Sequence, residues 1–313
     1  MAAVAAIFWK DGRDTDVESL QHLKQGLRIF GKAQQVTSAL GPCGMAFSVQ
    51  GGFDKIDGPL ICSNGPIRFC FEGRLDNRSE LIERLGADMR HLPDNELAMR
   101  SWLTSGPQAL DHWVGSFAFV AFDSQTNELV AGRDHLGSRP LCYHDTPSRV
   151  VVASAPRIIL SLPDVARVID EQKIADQLVQ MFHDGARTYF EGISRVLPGH
   201  FICANRDGIT HRCYWSLGTV PPIRYRSDAE YVEAGRALLE QAVRSQIGAN
   251  DKVGSFLSGG LDSSSVAVTA LDHIDAGRDL NCYTWAPSKD WDGKCRPGSY
   301  GDETPLVLSL IHI

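Results

Sequence analysis

The chain is 313 residues long, 43% hydrophobic and 22% charged, with a net charge of -7. That length supports two domains with real cores, and an acidic balance without any run of Lys or Arg excludes a basic footprint for nucleic acid. No apolar stretch reaches the length of a membrane span, and residues 1–8 are too short and too uncharged at their start for a signal peptide, so no membrane is expected as a partner.

In chain order, residues 4–9 form a short apolar strand and 16–27 a helix with Leu20, Leu23 and Leu27 on one face. Residues 43–49 are strand-like, and Gly51-Gly52 breaks them. The alternation over 67–72 predicts a strand that ends at Gly73, and 77–85 a helix with Leu81, Ile82 and Leu85 inward, capped by Asn77 with Glu80. A short helix over 95–104 precedes two runs, 113–123 and 128–133, that read as a β-hairpin, the first apolar enough for burial on both faces. Residues 134–140 make a turn, 141–144 and 149–153 are strands, 155–160 is short and helical, and 170–181 has helical spacing. Residues 192–202 are turn-rich, and 209–215 form a closing strand. Many antiparallel strands with a few helices predict an α+β domain over residues 1–217. Its cysteines, like all eight in the chain, lie far apart with no Cys-x-x-Cys pair and mostly within apolar runs. Buried free thiols in a reducing, cytoplasmic compartment are expected, and no zinc site.

Residues 218–227 are a linker by composition. A capping box, Ser227-Asp-Ala-Glu230, opens a helix to 247 whose apolar face is Tyr231, Leu238, Leu239, Ala242, Val243 and Ile247. The loop 248–251 leads into Val253-Gly-Ser-Phe-Leu-Ser-Gly-Gly-Leu-Asp-Ser-Ser-Ser265, the most informative stretch of the chain. A buried strand runs to Leu257, Ser258, Gly259 and Gly260 turn with little bulk, and Asp262, Ser263 and Ser264 are small oxygen-bearing residues of the kind that cap helices. Strand, glycine turn and helix N-terminus are the parts of a phosphate cradle: glycines admit the anion, and free N–H groups, the helix dipole and hydroxyls face it. No Gly-Lys-[Ser/Thr] follows, so the pattern is not the P-loop of Walker type. Residues 280–285 read as a second, parallel strand, completing a βαβ unit of an α/β parallel-sheet domain over 228–313.

The Ser-Gly-Gly-Leu-Asp-Ser-Ser string resembles the pyrophosphate-binding loop of the ATP pyrophosphatase superfamily, whose members adenylate an acceptor and let a nucleophile displace AMP. The resemblance implies ATP and magnesium as cofactors. It places Leu257, Ser258, Gly259, Gly260, Leu261, Asp262, Ser263 and Ser264 around ATP and its pyrophosphate, Trp285 with Leu257 beside the adenine, and Asp262 on the metal. Trp285 reads equally as sheet packing. Asp302-Glu303 matches the Asp-Glu that follows the second strand in these enzymes, and reads equally as the charged start of a helix.

Upstream, Glu72-Gly-Arg-Leu-Asp-Asn77, Pro93-Asp-Asn-Glu96, Gly115-Ser-Phe-Ala-Phe119, Arg133-Asp-His-Leu-Gly-Ser-Arg-Pro-Leu141, Ala153-Ser154 and Leu197-Pro-Gly-His200 resemble, in sequence and spacing, the glutamine-amidotransferase domain of asparagine synthetase. That domain is four-layered (αββα) and of the N-terminal-nucleophile type. The resemblance breaks at the chemistry. The family's N-terminal Cys-Gly is here Ala2-Ala3, and its Asn-Gly-Glu is Glu72-Gly73-Arg74; only Gly73 and Asp94 remain of the glutamine site. Without the thiol whose own amine serves as base, glutamine hydrolysis is not expected, and the other motifs are expected to act as turns and salt bridges. Lasso-peptide macrolactam cyclases and β-lactam synthetases lack the cysteine in this way. The resemblance implies an ATP-dependent carbon–nitrogen ligase, closest to the cyclases, whose partners would be a peptide or small-molecule carboxylate, a precursor-processing protease and a leader-peptide-binding protein. Formation of asparagine from free ammonia and a non-catalytic binding subunit are the alternatives. The family's second acidic loop finds no match, so the chain is expected to be truncated at its C-terminus, with the synthetase catalytic residues beyond the end and the fragment itself inactive.

Overall fold

A computed structural model describes residues 2–30, 34–49, 60–86, 89–181, 184–247, 252–274, 279–296 and 301–310. The break expected at Gly51-Gly52 and the loop 248–251 lie outside the described residues. The chain forms two compact units, Met1–Val220 and Pro221–Ile313.

The first unit begins with β1 (Ala2–Trp9), α1 (Val17–Leu27), β2 (Gln34–Leu40), β3 (Cys43–Val49), β4 (Cys62–Asn64) and β5 (Ile67–Leu75). It continues with α2 (Arg78–Leu85), α3 (Asp94–Ser105), β6 (Gly115–Asp123), β7 (Glu128–Arg133), β8 (Cys142–Asp145) and β9 (Arg149–Ala153). It closes with α4 (Pro156–Ile159), α5 (Glu171–Leu178), β10 (Ile193–Arg195), β11 (His200–Asn205) and β12 (Gly208–Cys213). Two six-stranded antiparallel sheets result, in the orders β10-β8-β9-β1-β3-β2 and β12-β11-β7-β6-β5-β4.

Side-chain alternation along these strands sorts the apolar residues into three cores. Ala2, Val4, Ala6 and Phe8 of β1 meet Cys70, Ala118, Val120 and Phe122 of the other sheet in a core between the sheets. The opposite face of β1, with Ala3, Ala5, Ile7 and Trp9, packs on Leu23 and Leu27 of α1 and Ile158 and Ile159 of α4. The opposite face of β5 and β6, with Phe69, Phe71, Phe117 and Phe119, packs on Leu81 of α2, and on Leu97 and Trp102 of α3. Three cores between four layers make this an αββα fold, and strands buried on both faces explain why β1 and β6 read as continuous apolar runs. Each fully buried Phe or Leu contributes roughly 1.5–3 kcal/mol of transfer free energy.

Several boundaries differ from the sequence reading. The strand through 67–72 does not stop at Gly73 but runs to Leu75, because Gly73 pairs with Phe117 inside the ladder. At φ +145, a Cβ there would stand 2.1 Å from the Ser116 carbonyl oxygen, so only glycine admits the approach. Asn77 precedes α2 without capping it; its amide bonds the Glu80 carboxylate and the His112 carbonyl, while its oxygen accepts from the Val114 N–H at 3.0 Å. Trp113 lies outside β6, fully buried in the aromatic core. The turn-rich stretch 192–202 holds β10 and the start of β11. Strands β2 and β4 had no apolar signature, since both sit at sheet edges, where half-exposed polar residues suffice.

The second unit comprises α6 (Asp228–Ile247), β13 (Val253–Phe256), α7 (Leu261–Asp272), β14 (Leu280–Tyr283) and α8 (Thr304–Leu310). β13 and β14 pair in parallel, Val253 opposite Leu280, with α7 between them in sequence. Val243 and Ile247 of α6 meet Ala270 of α7, with Leu239 against them. Tyr231 and Leu238, assigned to the same face, are 43% and 62% exposed. The expected capping box is half formed: the Ser227 hydroxyl accepts from the Glu230 N–H at 3.4 Å, but the Glu230 carboxylate accepts from the Arg226 N–H at 2.9 Å and not from that of Ser227. No disulfide joins the cysteines, but only Cys43, Cys62, Cys70 and Cys142 are buried; Cys203 is half-buried, and Cys213, Cys282 and Cys295 are exposed.

Candidate functional site

The phosphate loop lies between β13 and α7. Leu257 is buried, and its backbone is engaged on both sides, N–H to the Tyr283 carbonyl at 2.9 Å and C=O to the Thr284 hydroxyl at 2.6 Å. This ties the loop to the end of β14. Gly260 is the N-cap of α7 and supplies no side chain, so Asp262, Ser263 and Ser264 do not cap the helix but occupy its first turn. The Ser263 hydroxyl sits 2.8 Å from that of Ser258 and accepts from the Ser258 N–H at 3.0 Å; the Ser264 hydroxyl donates back to the Gly260 carbonyl at 2.7 Å. Both serines thus brace the turn. Leu261 and Asp262 are exposed at the helix start, and the Asp262 carboxylate makes no hydrogen bond or ion pair with a described residue.

The fit of this loop to an anion can be judged from one contact. The Gly259 N–H donates to the Glu303 carboxylate at 3.1 Å, so an acidic oxygen already rests where the cradle presents its donor. The Asp302-Glu303 pair has separate duties: the Asp302 carboxylate accepts from the Thr304 N–H at 2.9 Å at the start of α8, while Glu303 turns to the loop. Hydrogen bonds from Thr304 hold Asp302 below the ordinary carboxylate range. Magnesium on nucleotide phosphates uses one or two carboxylates with phosphate and water oxygens, which suits a free Asp262 beside the loop. Trp285 is 86% exposed, so it is not packed on the sheet. That removes the sheet-packing reading of this residue.

The front end of β1 is a different matter. Ala2 is 6% exposed, its methyl in the core between the sheets, and Ala3 faces the opposite layer. Glu72, where the resemblance expects an amide, is buried; its carboxylate accepts from the Ser154 hydroxyl at 2.6 Å and lies 3.6 Å from the Arg139 guanidinium. Ser154 in turn accepts from the Val4 N–H at 2.9 Å. Asp94 is spent as well, taking the Leu75 N–H at 2.8 Å and the Arg78 guanidinium. Cys43 pairs with Phe8, six residues along β1 from Ala2, or roughly 20 Å at strand rise. Burial alone pushes its thiol up, so it is no replacement nucleophile.

The Arg133-Asp-x-x-Gly-x-Arg run is a structural knot. Asp134 is buried and accepts four backbone N–H bonds, from Phe117, Leu136, Ser138 and Arg139, at 2.8 to 3.2 Å. Arg133 bonds the Val196 carbonyl at 3.1 Å and the Gly137 carbonyl. The sequence reading missed the part of Ser154 and Arg139 in holding Glu72, since nothing in a linear pattern pairs residues 82 positions apart.

A four-layered amidotransferase-like α+β unit, followed by a strand–loop–helix whose Gly259 N–H meets a carboxylate, defines the class: an amidotransferase-like domain joined to a synthetase-type domain. Comparison with known proteins agrees. Residues 16–215 match the family described as the glutamine amidotransferase domain, and residues 234–299 match that described as asparagine synthase. The chain belongs to this asparagine-synthetase-like family. Among curated relatives, a glutamine-hydrolysing asparagine synthetase from Bacillus subtilis is 30% identical over 227 residues, covering 69% of this chain and 36% of that protein. The amidase chry2 of Gibberella zeae is 32% identical over 259 residues, 80% of this chain and 38% of its own length. The chain therefore spans little more than a third of these relatives. Among solved structures, a glutamine phosphoribosylpyrophosphate amidotransferase from B. subtilis, complexed with ADP and GMP, aligns at a TM-score of 0.46 and 16% identity over 95% of this chain and 69% of that one.

Proposed function

We propose that the chain is part of an ATP-dependent ligase that adenylates a carboxylate, releases pyrophosphate, and joins the acyl group to an amine with loss of AMP. The observation that carries this is the Gly259 N–H presented to a carboxylate within a serine-braced turn at the start of α7. ATP with magnesium would supply the activating adenylyl group. This chain's share is to bind and orient it: Ser258, Gly260, Ser263 and Ser264 around the β,γ-phosphates, Asp262 toward the metal, and Leu257 and Trp285 beside the base. Because Ala2 and the buried Glu72 leave no glutaminase, the amine comes from the substrate. A peptide macrolactam cyclase of the lasso type, acting in the cytoplasm with a protease and a leader-peptide-binding protein, is the form we favour. Asparagine formation from ammonia is the second reading, favoured by the relatives named asparagine synthetase.

Two measurements test this. ATP with magnesium should raise the melting temperature of the 313-residue chain, and Ser263→Ala should reduce that rise, since a ligand bound only to the folded state stabilises by mass action. No rise would leave a non-catalytic binding subunit. In the complete gene product, AMP release driven by a peptide bearing an Asp or Glu side chain is expected; AMP release with conversion of aspartate to asparagine would reject the cyclase.

A further inference from the structure

Outside both sites, the outer face of the first unit holds a hollow of about 620 Å³ between α1 and the segment around α4. Its lining includes Arg28, Arg157 and Arg167, with His22 and Ser161, and no carboxylate among the described residues. The three guanidinium groups make no hydrogen bond or ion pair with any described residue. The nearest acid on α1, Glu18, reaches His22 at 3.7 Å, and Asp164 is held by Arg149 at 2.6 Å. In a chain of net charge -7, three arginines around one concavity with no counter-ion among the described residues stand against the overall balance.

The backbone builds the hollow. Gly26 sits inside α1, where glycine is about 1 kcal/mol worse than alanine, and a Cβ there would lie 2.8 Å from both the Ile158 Cα and the Ser161 hydroxyl. Its absence lets α1 rest directly on α4. The Ser161 hydroxyl then ties the two segments, bonding the His22 carbonyl at 2.7 Å and the Ile158 carbonyl at 2.6 Å. This contact brings Arg28, just after α1, and Arg157 of α4 into the lining of one hollow.

We propose that this cleft binds a small polyanion carrying two or more phosphate groups. Planar guanidinium forks match phosphate oxygens two at a time. Three of them exceed what one carboxylate can use, and the volume lies within the roughly 300–1,000 Å³ of small-ligand sites. Ile29 and Leu160 add apolar wall for an organic group on the phosphates.

The test is hydrogen–deuterium exchange on the full chain with millimolar inorganic pyrophosphate, with ADP, and with sulfate at matched ionic strength. Pyrophosphate or ADP should slow exchange over residues 22–29 and 157–167 by about tenfold, as expected when ligand exceeds its Kd about tenfold. Comparing the two separates a free phosphate chain from one carried on an organic group. The double variant R157Q/R167Q should lose this protection while keeping its urea midpoint. Protection around 257–264 reports the phosphate loop separately, so failure of one site is not failure of the other. No protection at the cleft in the unmodified chain, equal protection by sulfate, or protection that persists in R157Q/R167Q would overturn the proposal.

Discussion

At the scale of single residues, the eight thiols divide by burial into four buried, one half-buried and three exposed, which chemistry can separate. Burial raises Cys43 and Cys70 far above the ordinary thiol range, Cys62 to about 12 with Glu96 adding to it, and Cys142 to about 11. The thiolate is the reactive species, so in the native chain alkylation should reach Cys213, Cys282 and Cys295 first, Cys203, half-buried and pushed up to about 11 by burial, more slowly, and spare the four buried thiols. Peptide mass spectrometry reads the order, and early labelling of Cys70 would contradict the core between the sheets. The same reasoning applies to Ala2. Restoring a cysteine with Ala2→Cys should produce no glutamine hydrolysis above the blank, because Glu72 holds Ser154 and Arg139 and Asp94 is committed to Arg78. Glutamate released by that variant would mean the site retains its function.

Elements of this fold are joined by buried polar anchors as well as by apolar faces. Asp134 satisfies N–H groups of β6 and of its own turn, so the hairpin and the following loop depend on a single carboxylate. An unsatisfied buried N–H costs about 1–3 kcal/mol. Asp134→Ala, which strands four of them, should therefore cost more than about 4 kcal/mol, whereas Asp134→Asn, which keeps one acceptor oxygen, should cost clearly less. Urea unfolding measures both, and equal losses would show that the turn does not rest on accepted hydrogen bonds. In the phosphate loop the anchors are lighter. Ser258, Ser263 and Ser264 make short hydroxyl contacts around a turn that is half open to solvent, which suits a loop that must exchange its partner.

For the whole molecule, stability should decline toward acid in two stages. Burial holds His135 below the ordinary imidazole value, and burial together with Arg149 does the same for His144. A histidine whose folded value is lowered favours its neutral form, so its contribution is complete above the unfolded value near 6.5 and is lost as pH falls toward the folded one. The carboxylates act lower. Asp164 is pushed up by burial but brought down further by Arg149, and Asp170 is held down by the Lys173 N–H and by Arg187. Their contribution is present above about 3.9 and lost as pH falls through their folded values. The urea midpoint should therefore drop between about pH 7.5 and 5.5, then drop again below about pH 4. His135→Phe, in a site already walled by Tyr214 and Trp215, should shrink the first step. A flat profile from neutral to about pH 5.5 would exclude it.

The strands with two buried faces, the helix after Asp16 and the order strand, loop, helix around the phosphate loop were legible in the sequence, because each depends on residues within about a dozen positions of one another; the Asp16 cap and the exposure of β13, with Phe256 73% exposed where a buried strand was expected, were not. Periodicity and turn chemistry report such local relations directly. The resemblance carried the four layers and the missing nucleophile, again from short strings. The contacts that the fold alone reveals join partners far apart in the chain. Glu72 meets Ser154 and Arg139, Glu303 reaches the Gly259 N–H, and Gly73 is needed by a strand more than 40 positions away. Edge strands β2 and β4 also waited for the structure, since their pairing is supplied by a neighbour and not by their own pattern. So did the arginine cleft, whose three cations belong to separate segments and become one site only because Gly26 lets α1 lie against α4. Local physics is written in adjacent residues; electrostatic closure and close approach depend on which distant segments the cores bring together.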